Sequence, residues 1–532
     1  MATKETGQAS VAELDPSEQR LRELGYKQEL KRELTSFTNF SVSFSIVSVL
    51  TGLSSLYGTG LVSGGPVVII WGWCLVSLMT GCVAAAMAEI CSGYPTSGGL
   101  YFWSARLAGP RWGPLASWIT GWFNLLGQFA CTAGIDFGLA IALCATVSIG
   151  TDFAFEPSPG VLVLVYIALL VVHGLLNTFA VRAIAILNTI SVWWHIVGVL
   201  AIIISVLVGA DQPQSGTWVF SHFANYTGWD NAGYVALLGL LMSQFTMTGY
   251  DASAHMTEET KRADVAGPIG ILMAVGVSFV AGLAYLLGLT FAIQDYDRVV
   301  GSRTGMAVAQ IFLDALGRTG AILLLVIVMG AMFFAGNASV TSNSRMLYAF
   351  SRDGAVPGSR YWHQINQKRK SPVNAVWCAV GVAAVLGLPY LGNSTAFTAI
   401  TSLATIGLYI SYGLPILCRV WRPQAFEHGP LHLGRLGRLI GIVACLWVAF
   451  ITVLFVLPTA SPVTAENMNY APVMVGIVLV FVGGWWMLSA RHWFHGPVCN
   501  VTLDTKATVS ATFASAPLDG QAPYTKGAED AA

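Results

Sequence analysis

Hydrophobic positions in this chain fall in long, nearly unbroken runs separated by short polar intervals. Windows such as "GVLVLVYIALLVVHGLL" (160–176) and "HIVGVLAIIISVLVGA" (195–210) approach the roughly 20 apolar residues an α-helix needs to cross a bilayer. The strict alternation of a membrane β-strand is nowhere evident. The pattern predicts an all-α polytopic membrane protein with about twelve spans of the usual length. They lie near 40–62, 67–90, 114–148, 160–178, 183–209, 232–257, 268–293, 319–344, 373–391, 396–418, 438–457 and 470–490. A second apolar stripe at helical spacing, within 294–320, predicts a helix lying along the membrane surface.

Composition agrees with this pattern. Only 10% of the 532 residues are charged and 55% are hydrophobic, with mean hydropathy +0.65, whereas a soluble domain carries roughly 25% charged residues. The first 37 residues contain no apolar segment ahead of a small-residue cleavage site, so they read as a retained cytoplasmic tail. Residues 499–532, rich in Ala, Thr, Ser and Gly, read as a disordered cytoplasmic tail. Between them, 38–498 is expected to form the transmembrane domain. Placing both termini inside puts 24 of the 27 Lys and Arg residues on inner segments, leaving Arg298, Arg303 and Arg318 in one outer loop. That asymmetry is the one expected of cytoplasmic loops. Basic and acidic residues balance at 27 each, and nothing points to a nucleic-acid partner. The nine cysteines show neither zinc spacing nor a disulfide framework.

Two spans are interrupted. The first, "FSVSFSIVSVLTGLSSLYGTGLVSGG", has Gly52, Ser54, Ser55, Gly58 and Gly60 near its middle; the sixth, "LLGLLMSQFTMTGYDASAHM", has Thr248, Gly249 and Asp251 at similar depth. Backbone at membrane depth must satisfy its own hydrogen bonds, so breaks survive only beside protein or a water-filled cavity. Paired interruptions in corresponding spans point to the site of an inverted-repeat transporter. Spans one to five (about 38–209) and six to ten (about 232–419) would be the repeats, with two further helices at about 438–490. A break exposes amide N–H groups on one side and carbonyls on the other, a polarity that suits a zwitterion.

Ionisable residues gather around the second break. Asp251 stands where a half-helix would begin, and it either caps that end or shapes the site, because an acid at this depth usually faces a pathway or a partner. His255, Glu258 and Glu259 follow at spacings that place them with Asp251 on one helical face. The two glutamates read first as a solvated inner wall, and more sharply as an inner gate paired with Arg32, Arg345 or Arg352. Asn124, Gln128 and Asp136 share a face of span three and are expected to line the cavity opposite span one. Glu89 and His173 read as packed or hydrogen-bonded residues. No catalytic triad, metal cluster, cofactor motif or ATP-binding loop is found, so the chain does not read as an enzyme, and any transport would run on ion or solute gradients.

With "AMAEICSGYPTSGGLYFWSARLAGPRWGP" (86–114), "TGYDASAHMTEETKRADVAGPIGIL" (248–272) and "TSNSRMLYAFSRDGAVP" (341–357) in order, the chain resembles the amino acid-polyamine-organocation superfamily, specifically its amino acid/choline transporter branch. The resemblance runs from about residue 24 to "SARHWFHGPV" (489–498). It implies a LeuT-like 5+5 inverted repeat with discontinuous helices one and six and substrate bound between them. It further implies that the amides of Thr51, Gly52, Leu53, Ser54 and Ser55 meet the substrate carboxylate. The free carbonyls of Phe245 to Asp251, Thr248 and Gly249 among them, would meet the amine, with Phe245 as an aromatic gate. Proton coupling or solute exchange would replace sodium, with Asn188 or His195 of helix five at the sodium position. The expected function is secondary transport or exchange of amino acids or related amines, GABA included. The alternatives are a choline or polyamine permease and a non-transporting nutrient sensor.

Overall fold

Runs of residues that are apolar on every side become helices that need no partner except lipid, and the twelve-span reading becomes a helical bundle on this basis. The computed structural model describes residues 16–498, except Lys27, 29–31, Ala180, Gln367 and 369–370. The predicted C-terminal tail, 499–532, lies outside the described residues. A short helix α1 (Pro16–Glu23) precedes the first span, which is split into α2 (Ser36–Val47) and α3 (Val49–Val62). Spans two to five are α4 (Gly65–Gly93), α5 (Leu100–Gly150), α6 (Pro159–Phe179) and α7 (Val181–Gly209). After a small α8 (Gly216–Ser221), the sixth span is divided into α9 (Ala232–Leu238), α10 (Leu240–Thr246) and α11 (Ala252–His255). Span seven is α12 (Ala263–Phe291); a turn of helix α13 (Tyr296–Val300) leads into α14 (Ala307–Arg352), span eight. A short α15 (Ser359–Trp362) is followed by α16 (Val373–Gly387), α17 (Ala396–Trp421), α18 (Leu436–Leu454) and α19 (Ala471–Leu488). Eleven helices among the described residues are long and apolar enough to cross a membrane; the broken sixth span is the twelfth.

Burial sorts these helices into centre and periphery. The most apolar window of Ser36–Val62 is 89% buried, whereas those of Pro159–Phe179 and Ile184–Gly209 are 33% buried. α7 turns Trp193, Val197, Leu200, Ile204 and Val208 outward, as a helix facing hydrocarbon does, because lipid tails are as apolar as a core. The polar first span is enclosed by α5, α12, α14 and α10.

Two helices bend at glycines that only glycine can occupy. α5 kinks at Gly109 (φ 80°, ψ 179°) and α14 at Gly317 (φ 65°, ψ −173°), a region of backbone space closed to side chains. Each kink separates a short arm, 100–108 or 307–316, from a long span. The first arm reaches the face of the bundle where both described chain ends lie, since Tyr101 shares a partner with Tyr26 and Val498. The second arm lies at the opposite face, where its Asp314 pairs with Arg298. Spans three and eight thus have matching kinks at opposite faces, the correspondence an inverted repeat produces. The expected surface helix is therefore corrected: Val308, Ile311 and Phe312 are buried against the bundle, so the stripe marks packing.

Candidate functional site

The two breaks touch at the centre of the bundle. α2 and α3 part at Ser48, a non-glycine residue at φ 26° and ψ 87°. This strained geometry is over-determined by its neighbours, as strain at functional sites tends to be. Ser48 Oγ lies 2.6 Å from His195 Nε2 and accepts from the Thr51 amide at 3.3 Å. His195 Nδ1 is 2.7 Å from the Ser191 carbonyl, so it carries the proton, and Nε2 accepts from the serine hydroxyl. The first break therefore falls three residues before Thr51. Thr51, Gly52, Leu53, Ser54 and Ser55 are helical, which corrects their expected place in an unwound segment. Ser54 instead meets Tyr285 at 2.7 Å, and Ser55 packs toward Gly138 of α5. A Cβ at Gly52 would sit 2.4 Å from Thr246 Oγ1 and 2.8 Å from its Cα; the glycine marks the close crossing of α3 and α10. The amides left without an intrahelical acceptor are those of Val49 and Leu50, as the start of a helix requires.

The second break is where the sequence placed it. Between Thr246 and Ala252 the chain is non-helical, with Gly249 at φ 87° and its missing Cβ 2.3 Å from Ile46 Cγ2. Several carbonyls expected to be free are occupied: Phe245 accepts from Thr248 Oγ1 (2.6 Å), Met247 from Tyr409 (2.7 Å) and Tyr250 from Ser43 (3.0 Å). Those of Thr246 and Thr248 have no partner among the described residues.

Asp251 does not cap α11 with its side chain. Its buried carboxylate accepts instead from Tyr412 (2.7 Å), Asn124 Nδ2 (2.9 Å) and Gln128 Nε2 (3.2 Å), with His255 Nε2 at 3.3 Å. Four donors match the acceptor capacity of a carboxylate. Beside it lies a small cavity of about 10 Å³ lined by Ile46, Gln128, Cys131, Gly249, Asp251, Ser339, Ser342 and Leu408. Phe245 packs against Gly134 of α5, next to this cavity but outside its lining. Asn188 is buried two turns before His195, with no hydrogen bond to the break among the described residues. Asp136, expected beside Asn124 and Gln128, pairs instead with His173 at 2.9 Å.

A match to the amino acid permease family covers residues 37–480. The amino-acid permease BAT1 of Arabidopsis thaliana is 47% identical over 509 residues, 93% of this chain and 98% of the relative. The chain belongs to the amino acid permease family. It is an integral, multi-pass membrane protein, and permeases are transporters, not enzymes. A BAT1 homolog of Oryza sativa subsp. japonica is 48% identical over 502 residues (92% of this chain, 96% of the relative). The GABA-specific permease of Saccharomyces cerevisiae is 31% identical over 512 residues (94% and 90%).

Below Asp251, this permease is closed by ion pairs at the face bearing the chain ends. α11 lasts a single turn and gives way to a tight 3-10 turn at Thr257–Glu259, so the four acidic and histidine side chains do not share one continuous helix face. Glu258 is buried, not solvated: Arg352 donates to both its oxygens at 3.2 and 3.3 Å, and the Ser97 amide adds a third contact at 3.1 Å. Glu259 pairs with Arg345 at 3.1 Å. Arg32 reaches the Thr260 carbonyl at 3.1 Å, while Leu34 and Thr260 form a parallel bridge. Next to Arg352, Asp353 accepts from Tyr101 (2.7 Å), Tyr26 (3.2 Å) and the Val498 amide (3.2 Å). Burial pushes its carboxyl up from 3.8 to about 6, against the opposing pull of Arg352 and the two tyrosines.

Sequence reasoning missed Tyr412, which supplies the shortest contact to Asp251. Its signal was the pair of tyrosines three apart in "LYISYG" (408–413), a spacing that puts both on one face.

Proposed function

We propose that this permease moves amino acids or related amines by alternating access, with the substrate held between Ser48 and Asp251. The Val49 and Leu50 amides receive the carboxylate, because the start of a helix favours an anion. The Thr246 and Thr248 carbonyls receive the amine, and the Asp251 carboxylate, held by its own donors, attracts it by charge. One observation carries this reading: two helix breaks in contact, with unpaired donors on one side and unpaired acceptors plus an anchored acid on the other. Only about 10 Å³ is open beside Asp251, about the room one water needs, so the bundle must open at the breaks to admit a substrate, as alternating access does.

The repeats are then about 38–209 and 232–419. The face bearing both chain ends is cytoplasmic, and Glu258–Arg352 and Glu259–Arg345 form its gate. Coupling is to protons or to exchange of a second solute, with His195 bracing the first break in the sodium position. A choline permease is disfavoured because the Val49 and Leu50 amides at the first break await a carboxylate, which choline lacks. The similarity to a GABA-specific permease supports GABA as a substrate beside α-amino acids.

Competition uptake in proteoliposomes, under imposed proton and sodium gradients, tests this reading. Labelled alanine entry should be reduced by other amino acids and by GABA, and not by choline. Saturable binding without flux or exchange would point to a sensor, and inhibition by choline alone would overturn the substrate class.

A further inference from the structure

The bundle holds a second buried acid–histidine pair that substrate binding leaves unused. Asp136 Oδ1 of α5 and His173 Nδ1 of α6 approach to 2.9 Å, and both side chains are fully buried. Beyond that approach, neither carboxylate oxygen and neither ring nitrogen has a hydrogen-bond partner among the described residues. A carboxylate offers about four acceptor sites, so Asp136 has open positions where Asp251 has none. Ionisable groups at this depth are costly and mark ion pathways, proton relays or fixed pairs.

The surroundings connect this pair in two directions. Gln128, Cys131, Thr132 and Asp136 follow one face of α5, by their spacing of three, four and eight residues. Thr132 Oγ1 meets Ser339 Oγ of α14 at 2.7 Å, and Ser339, Cys131 and Gln128 line the substrate cavity. On the other side, Asn177 Nδ2 donates to the His173 carbonyl at 3.0 Å and to Asn337 Oδ1 at 3.1 Å. Thr341 donates to Asn177 Oδ1 at 2.6 Å, and Ser371, in the loop before α16, donates to the Asn177 carbonyl at 3.1 Å. A column of hydroxyls and amides thus runs from the His173 backbone carbonyl toward the face bearing the chain ends. α14 comes close enough only because residue 336 is glycine: a Cβ there would lie 2.4 Å from Asp136 Oδ1 and 2.6 Å from His173 Cε1.

The other titratable groups around the pair are few. α6 contributes Tyr166, whose hydroxyl donates to the Ala383 carbonyl, and α5 contributes Cys131, between Asp136 and Asp251. Tyr390, after α16, packs at a tilt against Phe137, with ring centroids 4.5 Å apart. α14 presents Gly336, Phe333 and Asn337, none of which titrates, and the tyrosines of α17 are engaged with Met247 and Asp251.

We propose that Asp136 and His173 together bind the proton that this permease moves with its substrate. The loaded pair is an imidazolium beside a carboxylate, uncharged in sum. Unloading breaks one imidazolium N–H bond, passes the proton to water admitted when the bundle opens, and leaves imidazole beside carboxylate. The unloaded pair is a single negative charge at membrane depth, so it reloads before the protein closes around it.

This inference rests on the transport reading, and one experiment separates the two. Full-length protein is reconstituted into vesicles holding a pH-sensitive dye, and labelled L-alanine or GABA is added while label entry and luminal pH are followed together. Wild type should take up label and acidify the lumen; Asp136→Asn and His173→Gln, checked as monodisperse, should lose acidification and lose accumulation driven by an inward proton gradient. Acidification per label equal to wild type in either variant overturns the inference. Wild-type label entry without acidification overturns it too, while leaving the transport reading standing. No entry and no exchange of either label in wild type defeats the transport reading itself. Should both single variants misfold, the swapped pair Asp136→His/His173→Asp takes their place: coupled acidification supports the proposal, and uptake without it contradicts the proposal.

Discussion

Two acid–histidine pairs lie within the membrane-spanning part of this permease, and their surroundings differ more than their chemistry. Asp251 and His255 are four residues apart at a helix break, and the carboxylate is also held by Tyr412, Asn124 and Gln128. Asp136 and His173 come from continuous stretches of two helices, with no further hydrogen-bond partner among the described residues. The saturated acid keeps its position and charge, which suits a group that fixes the amine of a substrate. The unsaturated acid depends on a single histidine, which suits a group that gains and loses a proton. Surroundings, more than residue type, divide the work between them.

The largest expected effect comes from removing the saturated acid. Asp251→Ala leaves four buried donors without their acceptor; losing one member of such a buried network costs about 3–5 kcal/mol, or at least about a hundredfold in uptake. Uptake within tenfold of wild type, at equal surface expression, would break the comparison at its stronger end. The same substitution at both histidines sharpens it. His255→Gln should weaken apparent substrate affinity by about tenfold, since a hydrogen bond to a charged group contributes about 1.5–3 kcal/mol. His173→Gln should flatten the dependence of uptake on external pH. Initial-rate curves from pH 5 to 8 distinguish these outcomes, and identical curves for the two variants would erase the distinction.

A smaller effect is expected at the first break. His195→Ala removes the acceptor that holds Ser48 in its strained geometry, a loss comparable to that of a helix cap, about 1 kcal/mol, and uptake should fall about fivefold. The smallest effect comes from a buried acid outside the spans. Because burial raises the Asp353 carboxyl to about 6 from 3.8, the folded state favours its protonated form. Its stabilising contribution is complete below the ordinary carboxylate value, falls as pH rises through about 6, and is absent above that. Thermal unfolding of wild type in detergent should therefore show a melting temperature that gains on Asp353→Asn as pH is lowered from 7 to 5; parallel curves would contradict this.

The fold was legible because lipid-facing helices announce themselves in uninterrupted apolar runs, and the sixth-span break because Gly249 and Asp251 have no reason to sit mid-span otherwise. The first break was misplaced by three residues for a physical reason. Gly52 signals a close approach to Thr246, whereas the break occurs at Ser48, a residue whose unusual backbone is imposed by His195, 147 positions away. Contacts of that kind leave no local trace. The kinks at Gly109 and Gly317 were hidden for a similar reason, since nothing in sequence order joins either short arm, 100–108 or 307–316, to the span that follows it. Glu258 and Glu259 pair with Arg352 and Arg345, two of the three arginines that the sequence offered for them, but the burial of Glu258 depends on Ser97 and a 3-10 turn that helical spacing did not predict. Asp136 and His173 were each noticed and not joined, because nothing in sequence order brings positions 136 and 173 together.

The central claim is that the substrate amine is held at the second break by Asp251. Equilibrium binding of labelled alanine to purified wild type and Asp251→Asn, both monodisperse and at one pH, tests it most directly. The account predicts saturable binding to wild type, displaced by GABA, and loss of that binding in Asp251→Asn; equal affinity in the two proteins would contradict it.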